Sequence, residues 1–422
     1  MSDIRFEGWL HRSGTGGVYQ DSAGNVGIAS TQPQTRLDIG NGGFQVGPTG
    51  IATVTTVNTT NLINATPLSH RNVIINGAAM VAQRGDTTSG ATTGGYATDR
   101  FQAVQNETGT ITISQDSDAP GGTGFRKSHR LTQTTAQGSL AANDLTTFRY
   151  NAEGYDVQRF KKGSSDAQEF TVSFWVKSVD QSSYPVTYIL ELRDPVNTRS
   201  CCKAYTVSAS DTWEYKTITF PADTTGQWAT DNSKSLEMNW FVAAGSNYTS
   251  GTLSTSWATT VTANRAAGLT ANLSASTSNR FFLTGVQLEV GSVATPFEHR
   301  SYCEELARCQ RYYFRFTAST SGTHIAMGHQ MTSSAAKIIL PFPTSMRTRP
   351  TAVETTGTAT DYSVARTSTY EVCDAVPTFA GASKEVGNVN TSQVQASLST
   401  GIAVVLRANS TNFYLGFSAE FN

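Results

Sequence analysis

The chain has few cysteines, few charges and no long apolar run, and each shortage closes off a class of protein. Its 422 residues hold five cysteines, an odd number. Cys201 and Cys202 are neighbours, and Cys303 and Cys309 share one short segment, so neither a CxxC nor any other metal-ligand spacing results. A disulfide framework is not expected. The five read as free thiols of a protein that matures in a reducing compartment. Lys and Arg number 31 against 32 Asp and Glu, and the charged share of 15% lies below the roughly 25% usual for soluble domains. No basic cluster appears, which argues against a nucleic-acid partner and against an anionic membrane surface. Nowhere do about 18 apolar residues run together, and MSDIRFEGWLHRSG has no basic region followed by an apolar one, which argues against membrane insertion and a secretory signal.

What stands in place of charge is Ser, Thr, Asn and Gly, arranged between short apolar runs. Residues 1–67 contain Arg5–Leu10, Gly17–Gln20, Asn25–Ala29, Arg36–Ile39 and Ile51–Val57, each of strand length and none apolar enough to close a core alone. Unpaired strand edges invite association, so this segment is expected to attach to neighbouring copies or to a larger particle. Residues 68–300 read as a jelly-roll sandwich. Their clearest strand is Phe170–Lys177, with Phe170, Val172, Phe174 and Val176 on one face and Thr171, Ser173, Trp175 and Lys177 on the other. Further runs occur at Gly109–Ser114, Val186–Leu192, Trp213–Phe220, Leu236–Val242 and Arg280–Val290, with no amphipathic helices between them.

One helix is signalled. Ser301, followed three residues later by Glu304, forms a capping box, and Tyr302, Leu306, Gln310 and Tyr313 recur near helical spacing. Residues 301–311 are therefore expected to link the sandwich to a second small β-sandwich over 312–422, with strands at Lys337–Leu340, Ile402–Leu406 and Phe413–Phe417. The fold class is all-β.

Reactive groups do not converge along the sequence. The histidines at 11, 70, 129, 299, 324 and 329 are scattered, and no GxSxG elbow occurs. Of the carboxylate pairs that a glycan-cleaving enzyme would need, Asp223 with Asp231 flank a loop, and Glu304 with Glu305 point apart on a helix. No catalytic residue and no cofactor is expected. Asp223 and Asp231 are the one oxygen-rich pair to test for a structural Ca²⁺, without a ligand-spacing motif behind them. Sugar binding needs flat aromatic faces beside hydroxyl and amide groups. Trp228, Tyr248 and Trp257 sit in polar stretches (TTGQWATDN, GSNYTSG, STSWATT) and are the glycan-binding candidates. A loop tryptophan that pins its own loop to the sandwich is the competing explanation. Trp213 and Trp240 lie within strand runs and are read as core, and Trp175 as facing away from the Phe170 side.

Four stretches resemble a module that recurs in tailed-bacteriophage fibre and appendage proteins. They are Asn72–Gly77 running to Val81–Gly85 and then Tyr96–Phe101; FTVSFWVKS at 170–178; ITFPADTTGQWATDN at 218–232; and Phe282–Glu298 leading into Arg308–Tyr313. Tyr414–Glu420 is similar to the end of such fibres, and Asn25–Ile28 with Arg36–Ile39 is similar to a stalk motif of phage fibres and endosialidase-type tail proteins. The resemblance covers most of residues 72–313. It implies a carbohydrate-binding-like jelly roll, a homotrimer joined to other virion proteins through the N-terminal segment, and a non-enzymatic role in adsorption to host surface polysaccharide, in a virion assembled in the host cytoplasm. A purely structural virion connector or decoration, and less readily a polysaccharide depolymerase, remain open from the residues alone.

Overall fold

A computed structural model describes residues 8–10, 17–20, 22–23, 26–28, 37–39, 44–46, 52–54, 70–85, 87–91, 95–366, 369–393 and 399–421. The chain divides into two units, Met1–Leu68 and Ser69–Asn422. In the first, strands β1 (Gly8–Leu10), β2 (Gly17–Gln20), β3 (Val26–Ile28), β4 (Leu37–Ile39), β5 (Phe44–Val46) and β6 (Ala52–Val54) form a six-stranded sheet in chain order. Neighbours run antiparallel except β3 and β4, which are parallel. Of the apolar side chains described there, Val18 and Ile28 are exposed and Val26 is half-buried. Residues 5–7, 25, 29, 36, 51 and 55–57 of the apolar runs expected in this unit, and His11, lie outside the described residues.

The second unit is all-β, with two large cores and two smaller apolar clusters. Its strands are β7 (Thr87–Ala91), β8 (Phe101–Asn106), β9 (Thr110–Asp116), β10 (Ser128–Thr135), β11 (Leu145–Glu153), β12 (Phe170–Val179), β13 (Val186–Asp194), β14 (Arg199–Val207), β15 (Glu214–Phe220), β16 (Lys234–Ala244), β17 (Ala258–Thr259) and β18 (Arg280–Val290). They form two six-stranded sheets, β15-β12-β18-β10-β9-β7 and β17-β14-β13-β16-β11-β8. Most successive strands cross from one sheet to the other, as in a jelly roll. The alternation of β12 carries through: Phe170, Val172, Phe174 and Val176 enter the core with Leu131, Leu283 and Leu288, facing Phe148, Tyr188, Leu190, Met238 and Trp240 of the opposite sheet. Burying each such side chain contributes about 1.5–3 kcal/mol.

Beyond β18, Ser301 caps the helix Tyr302–Gln310, its Oγ accepting a bond from the Glu304 backbone N–H at 3.3 Å. Glu304 does not close the reciprocal bond; it pairs instead with Arg308 one turn on, at 2.9 Å. The C-terminal strands are β19 (Tyr313–Thr317), β20 (His324–Thr332), β21 (Ala335–Pro341), β22 (Glu354–Thr355), β23 (Tyr362–Ala365), β24 (Tyr370–Ala382), β25 (Val386–Gln393), β26 (Ala403–Ala408) and β27 (Tyr414–Ser418). This region is β-rich as expected, but in place of a β-sandwich its main sheet closes on itself as a barrel, β20-β21-β25-β24-β23-β26, beside a three-stranded sheet, β19-β27-β22, because β20 pairs with both β21 and β26 and so leaves no open edge. Ile338, Leu340, Val364, Val389, Leu406, Leu415 and Phe417 fill it.

The segment before β7 locks the unit together. Asn72 donates to the Val286 carbonyl at 3.1 Å and accepts from the Leu288 N–H at 3.1 Å. Ile75 and Val81 pack with Cys309, Tyr312 and Phe421. All five cysteines are free, and among the described residues no helix is long and apolar enough to cross a membrane.

Candidate functional site

The outward face of the β15-β12-β18 sheet carries a strip of aromatic rings. On β12 the residues opposite the core series, Ser173, Trp175 and Lys177, face away from the sandwich interior, as alternation requires. Trp175 pairs across the ladder with Tyr215 of β15, their ring centroids 5.4 Å apart and tilted by 47°. Tyr215 is 46% exposed and Trp175 half-buried. On β18 the register shifts opposite Ser173 and Trp175, and Gly285 sits there with φ 62°. A Cβ at Gly285 would come within 2.6 Å of the Phe125 ring and 3.2 Å of Trp175, so only glycine lets both rings lie against the strand. Phe125 then meets Phe297 at 5.0 Å and His299 at 5.4 Å. Past these rings the strip opens into a pocket of about 160 Å3 walled also by Met80, Tyr302, Arg126 and Arg300.

At the other end Trp213 is half-buried on this outward face rather than in the core. Its Nε1 donates to Asp118 at 2.9 Å, and its ring lies 6.1 Å from Phe282. Lys177 lies between Asp118 and Asp211, 4.6 Å from the Phe282 ring centre. Burial works against the Lys177 charge, but its hydrogen bonds to Asp118 and Asp211 outweigh this and hold its pKa above that of an ordinary lysine. The Lys177 charge is thereby answered locally. Beside the rings the exposed Thr217 offers a hydroxyl, while Ser173 opposite it is buried. A ring pair on the sheet, a neighbouring hydroxyl and a loop-lined pocket suit stacking against the C–H face of a sugar.

The three loop aromatics expected to bind glycan are placed elsewhere. Trp228 and Trp257 are 4% and 9% exposed. Their rings lie 6.2 Å and 6.0 Å from Phe170, and Trp257 Nε1 donates to the Pro221 carbonyl at 2.9 Å. Between them Nζ of the buried Lys162 bonds Asp194 at 2.6 Å and lies 3.1 Å from Asp223. Both tryptophans pin their loops onto the core, and Trp228 also lines a small cleft of about 190 Å3 with Gln158, Lys161, Lys162 and Gln227. Tyr248 does not join them. It is half-buried over Ile189 and Phe241, 5.8 Å from the Arg265 guanidinium.

The Ca²⁺ pair does not assemble. Asp223 is gripped by Arg199 through two bonds of 2.8 Å, while Asp231 accepts from the Ser233 N–H at 2.8 Å. Among the described residues no group of three or more His, Cys, Asp or Glu is placed to hold a metal. Glu304 and Glu305 diverge, the second reaching the Asn76 N–H and Arg300.

A different pair does converge, and nothing local in the sequence signals it. On the outward face of the second sheet the amide of Asn239 donates to both Glu191 and Glu237, at 2.9 Å and 3.0 Å. Arg265 grips Glu191 through bonds of 2.7 Å and 2.6 Å, and Arg149, Arg193 and Lys234 lie 3.4–3.5 Å from Glu237. Burial alone would raise the Glu237 pKa; Arg149, Asn239 and Lys234 outweigh it and bring it down to about 2. Both carboxylates are buried beneath these cations. An acid held this low does not protonate a glycosidic oxygen near neutral pH.

No protein-family model matches the chain, and no curated protein matches it. Solved structures similar to it include the enzymatically active domain of tailspike protein 4 of bacteriophage CBA120, at 10% identity and TM-score 0.27, over 52% of this chain and 21% of that one. A family 11 carbohydrate-binding module of the Clostridium thermocellum cellulase Lic26A-Cel5E matches at 10% identity and TM-score 0.24, over 48% and 91% of the two chains. The C-terminal family 22 module of Clostridium thermocellum Xyn10B matches at 9% and 0.25, over 46% and 89%. Identities and TM-scores at this level carry no argument about ligand or activity.

Proposed function

We propose that this chain is a non-catalytic, glycan-binding appendage subunit of a tailed-phage virion, meeting host surface polysaccharide through the Tyr215–Trp175–Phe125–Phe297 strip. The observation that carries the binding role is the strip itself: Trp175 and Tyr215 paired on adjacent strands and partly open to solvent, Phe125 and Phe297 reaching in from loops, an exposed hydroxyl at Thr217 and a pocket at one end. The virion role rests on the fibre-like signatures at 72–101, 170–178, 218–232 and 282–313. The expected N-terminal joining of copies, most simply three, fits that role, since linked copies raise overall binding by about 10² to 10⁴ without new contacts.

The test is binding of the purified full chain to host cells and to an array of bacterial surface glycans. Trp175→Ala combined with Tyr215→Ala is expected to lose at least tenfold in apparent affinity while keeping the native circular dichroism. Binding unchanged by the double substitution would remove the strip from the role, and an absence of host-dependent binding by the unaltered chain would favour a structural spacer. Chain shortening of host polysaccharide on incubation would overturn the non-catalytic reading, and a monodisperse monomer in light scattering would overturn the assembly.

A further inference from the structure

A second site lies away from the aromatic strip. Between the start of β16 and the C-terminal module is a cleft of about 380 Å3, lined by Lys234, Arg347, Arg349, Glu354, Glu420 and Phe421 among others. Arg347 is 9% exposed. Its Nε donates to the Ala419 carbonyl at 2.7 Å, and its two Nη atoms donate to Asn232 and Glu420 carbonyls at 2.9 Å each. Those are neutral acceptors. They use three of the five guanidinium N–H donors, and among the described residues no carboxylate lies within 4.0 Å of it. Taking a charge out of water without a counter-ion is costly. The Arg347 Cζ also lies 4.0 Å from the Phe421 ring centre, and burial pulls the Arg347 pKa down further than Glu153 and Glu420 raise it.

The other charges around the cleft do not supply that counter-ion. Glu420 is already shared by Arg100 and Arg84, while Glu354, which accepts from the neutral Tyr313 hydroxyl at 2.7 Å, keeps its charge on the wall, so the lining holds three cations against two carboxylates. Arg349 is exposed and forms no ion pair among the described residues. Lys234 adds a third cation, shared with Glu237 at 3.4 Å. The wall is left with a surplus of positive charge, in a cleft with room for more than a single ion.

We infer that this cleft is an oxyanion site, holding a carboxylate, sulfate or phosphate group against Arg347, Arg349 and Lys234. Guanidinium groups match the planar or tetrahedral oxygens of such ligands with paired N–H donors. Its place between the sandwich and the C-terminal module means that a bound anion ties the two together. The group arrives either as a free ion or as an acidic substituent on a sugar, and the two sources are separable.

The experiment is a thermal-unfolding titration of the full chain at constant ionic strength, with sodium chloride exchanged for phosphate, sulfate or glucuronate. A ligand that binds only the folded state raises the transition temperature in a saturable way. At least one anion is expected to do so, and Arg349→Gln, at an exposed position, is expected to weaken it at least tenfold without changing the transition in chloride. A larger effect of glucuronate identifies a sugar carboxylate as the ligand; a larger effect of phosphate or sulfate identifies the inorganic group or an ester carrying it. No saturable shift with any of the three, or shifts of equal size in Arg349→Gln, overturns the inference. Trp175→Ala leaves this effect intact, so the fate of the cleft and that of the strip are read separately.

Discussion

Arg100 and Glu420, 320 positions apart in the chain, form an ion pair with side chains 1% and 3% exposed. The Arg100 guanidinium lies 3.3 Å from the ring centre of Tyr312 and 5.2 Å from that of Tyr150, and it also donates to the Asn151 carbonyl. Burial opposes its charge, but attraction to Glu420 and the neighbouring tyrosines prevails and its pKa lies well above that of a free arginine. This contact fastens the Tyr96–Phe101 stretch to the closing segment, and with it the sandwich to the C-terminal module.

Glu420→Ala should therefore cost about 3–5 kcal/mol, because it strands a buried cation. The paired replacement Arg100→Met with Glu420→Leu should cost much less than the sum of the two single changes. Urea unfolding of the four proteins reads this coupling; additive single costs would show that the pair is not the fastening.

Trp228→Ala and Trp257→Ala should each destabilise by about 3–5 kcal/mol, the range for emptying a large aromatic from a core. The folded fraction should bind glycan as the unaltered chain does. A variant that keeps its stability and loses binding would restore these loops as the ligand surface.

His129 sets a pH dependence. It is buried, its Nδ1 2.6 Å from the Thr98 hydroxyl, and burial brings its pKa from 6.5 to about 3. The unfolded chain takes up this proton first, so the contribution is complete above pH 6.5 and is lost as pH falls toward 3, by up to about 1.4 kcal/mol per unit. Asp99, which burial raises to about 6, works in the opposite sense but is common to both proteins in the comparison. The stability difference between the unaltered chain and His129→Gln should shrink as pH falls from 6.5 to 3 and be flat above 7; a difference flat throughout would contradict it.

Gly77→Ala tests the interlock ahead of β7. A Cβ there would stand 2.1 Å from the Val286 carbonyl oxygen, a backbone atom that cannot swing aside. A cost of about 1–3 kcal/mol or more is expected in thermal or urea unfolding. Gly121→Ala, with nothing within 4 Å of the added carbon, should stay within about 0.5 kcal/mol.

Much of this architecture is legible locally. The alternation from Phe170 places the core face of β12, Arg280–Val290 is a strand over its full expected length, and Ser301 caps its helix. The outward direction of Trp175 is legible too. Its pairing with Tyr215 needs the β12–β15 register, and the approach of Phe125 and Phe297 comes from loops with no periodic pattern. The sequence shows polar neighbours around Trp228 and Trp257, whereas burial there depends on Phe170 and Lys162, about 60 to 95 residues away. Trp213 misleads in the other direction: its run is strand-like, but it lies just before β15 and packs on the outward face.

By itself, then, the sequence determined the all-β class, the strands, the faces of the best of them, the helix cap and the absence of a thiol framework, because a period of two and a capping hydroxyl are properties of adjacent residues. Only the tertiary structure decided which aromatics remain open to solvent, that Glu191 and Glu237 meet beneath arginines, and that Arg347 lines a cleft with no carboxylate within ion-pair distance of it among the described residues. Those outcomes depend on which distant segments fold over a given side chain, and long-range contact rather than local polarity sets whether a ring or a charge meets water.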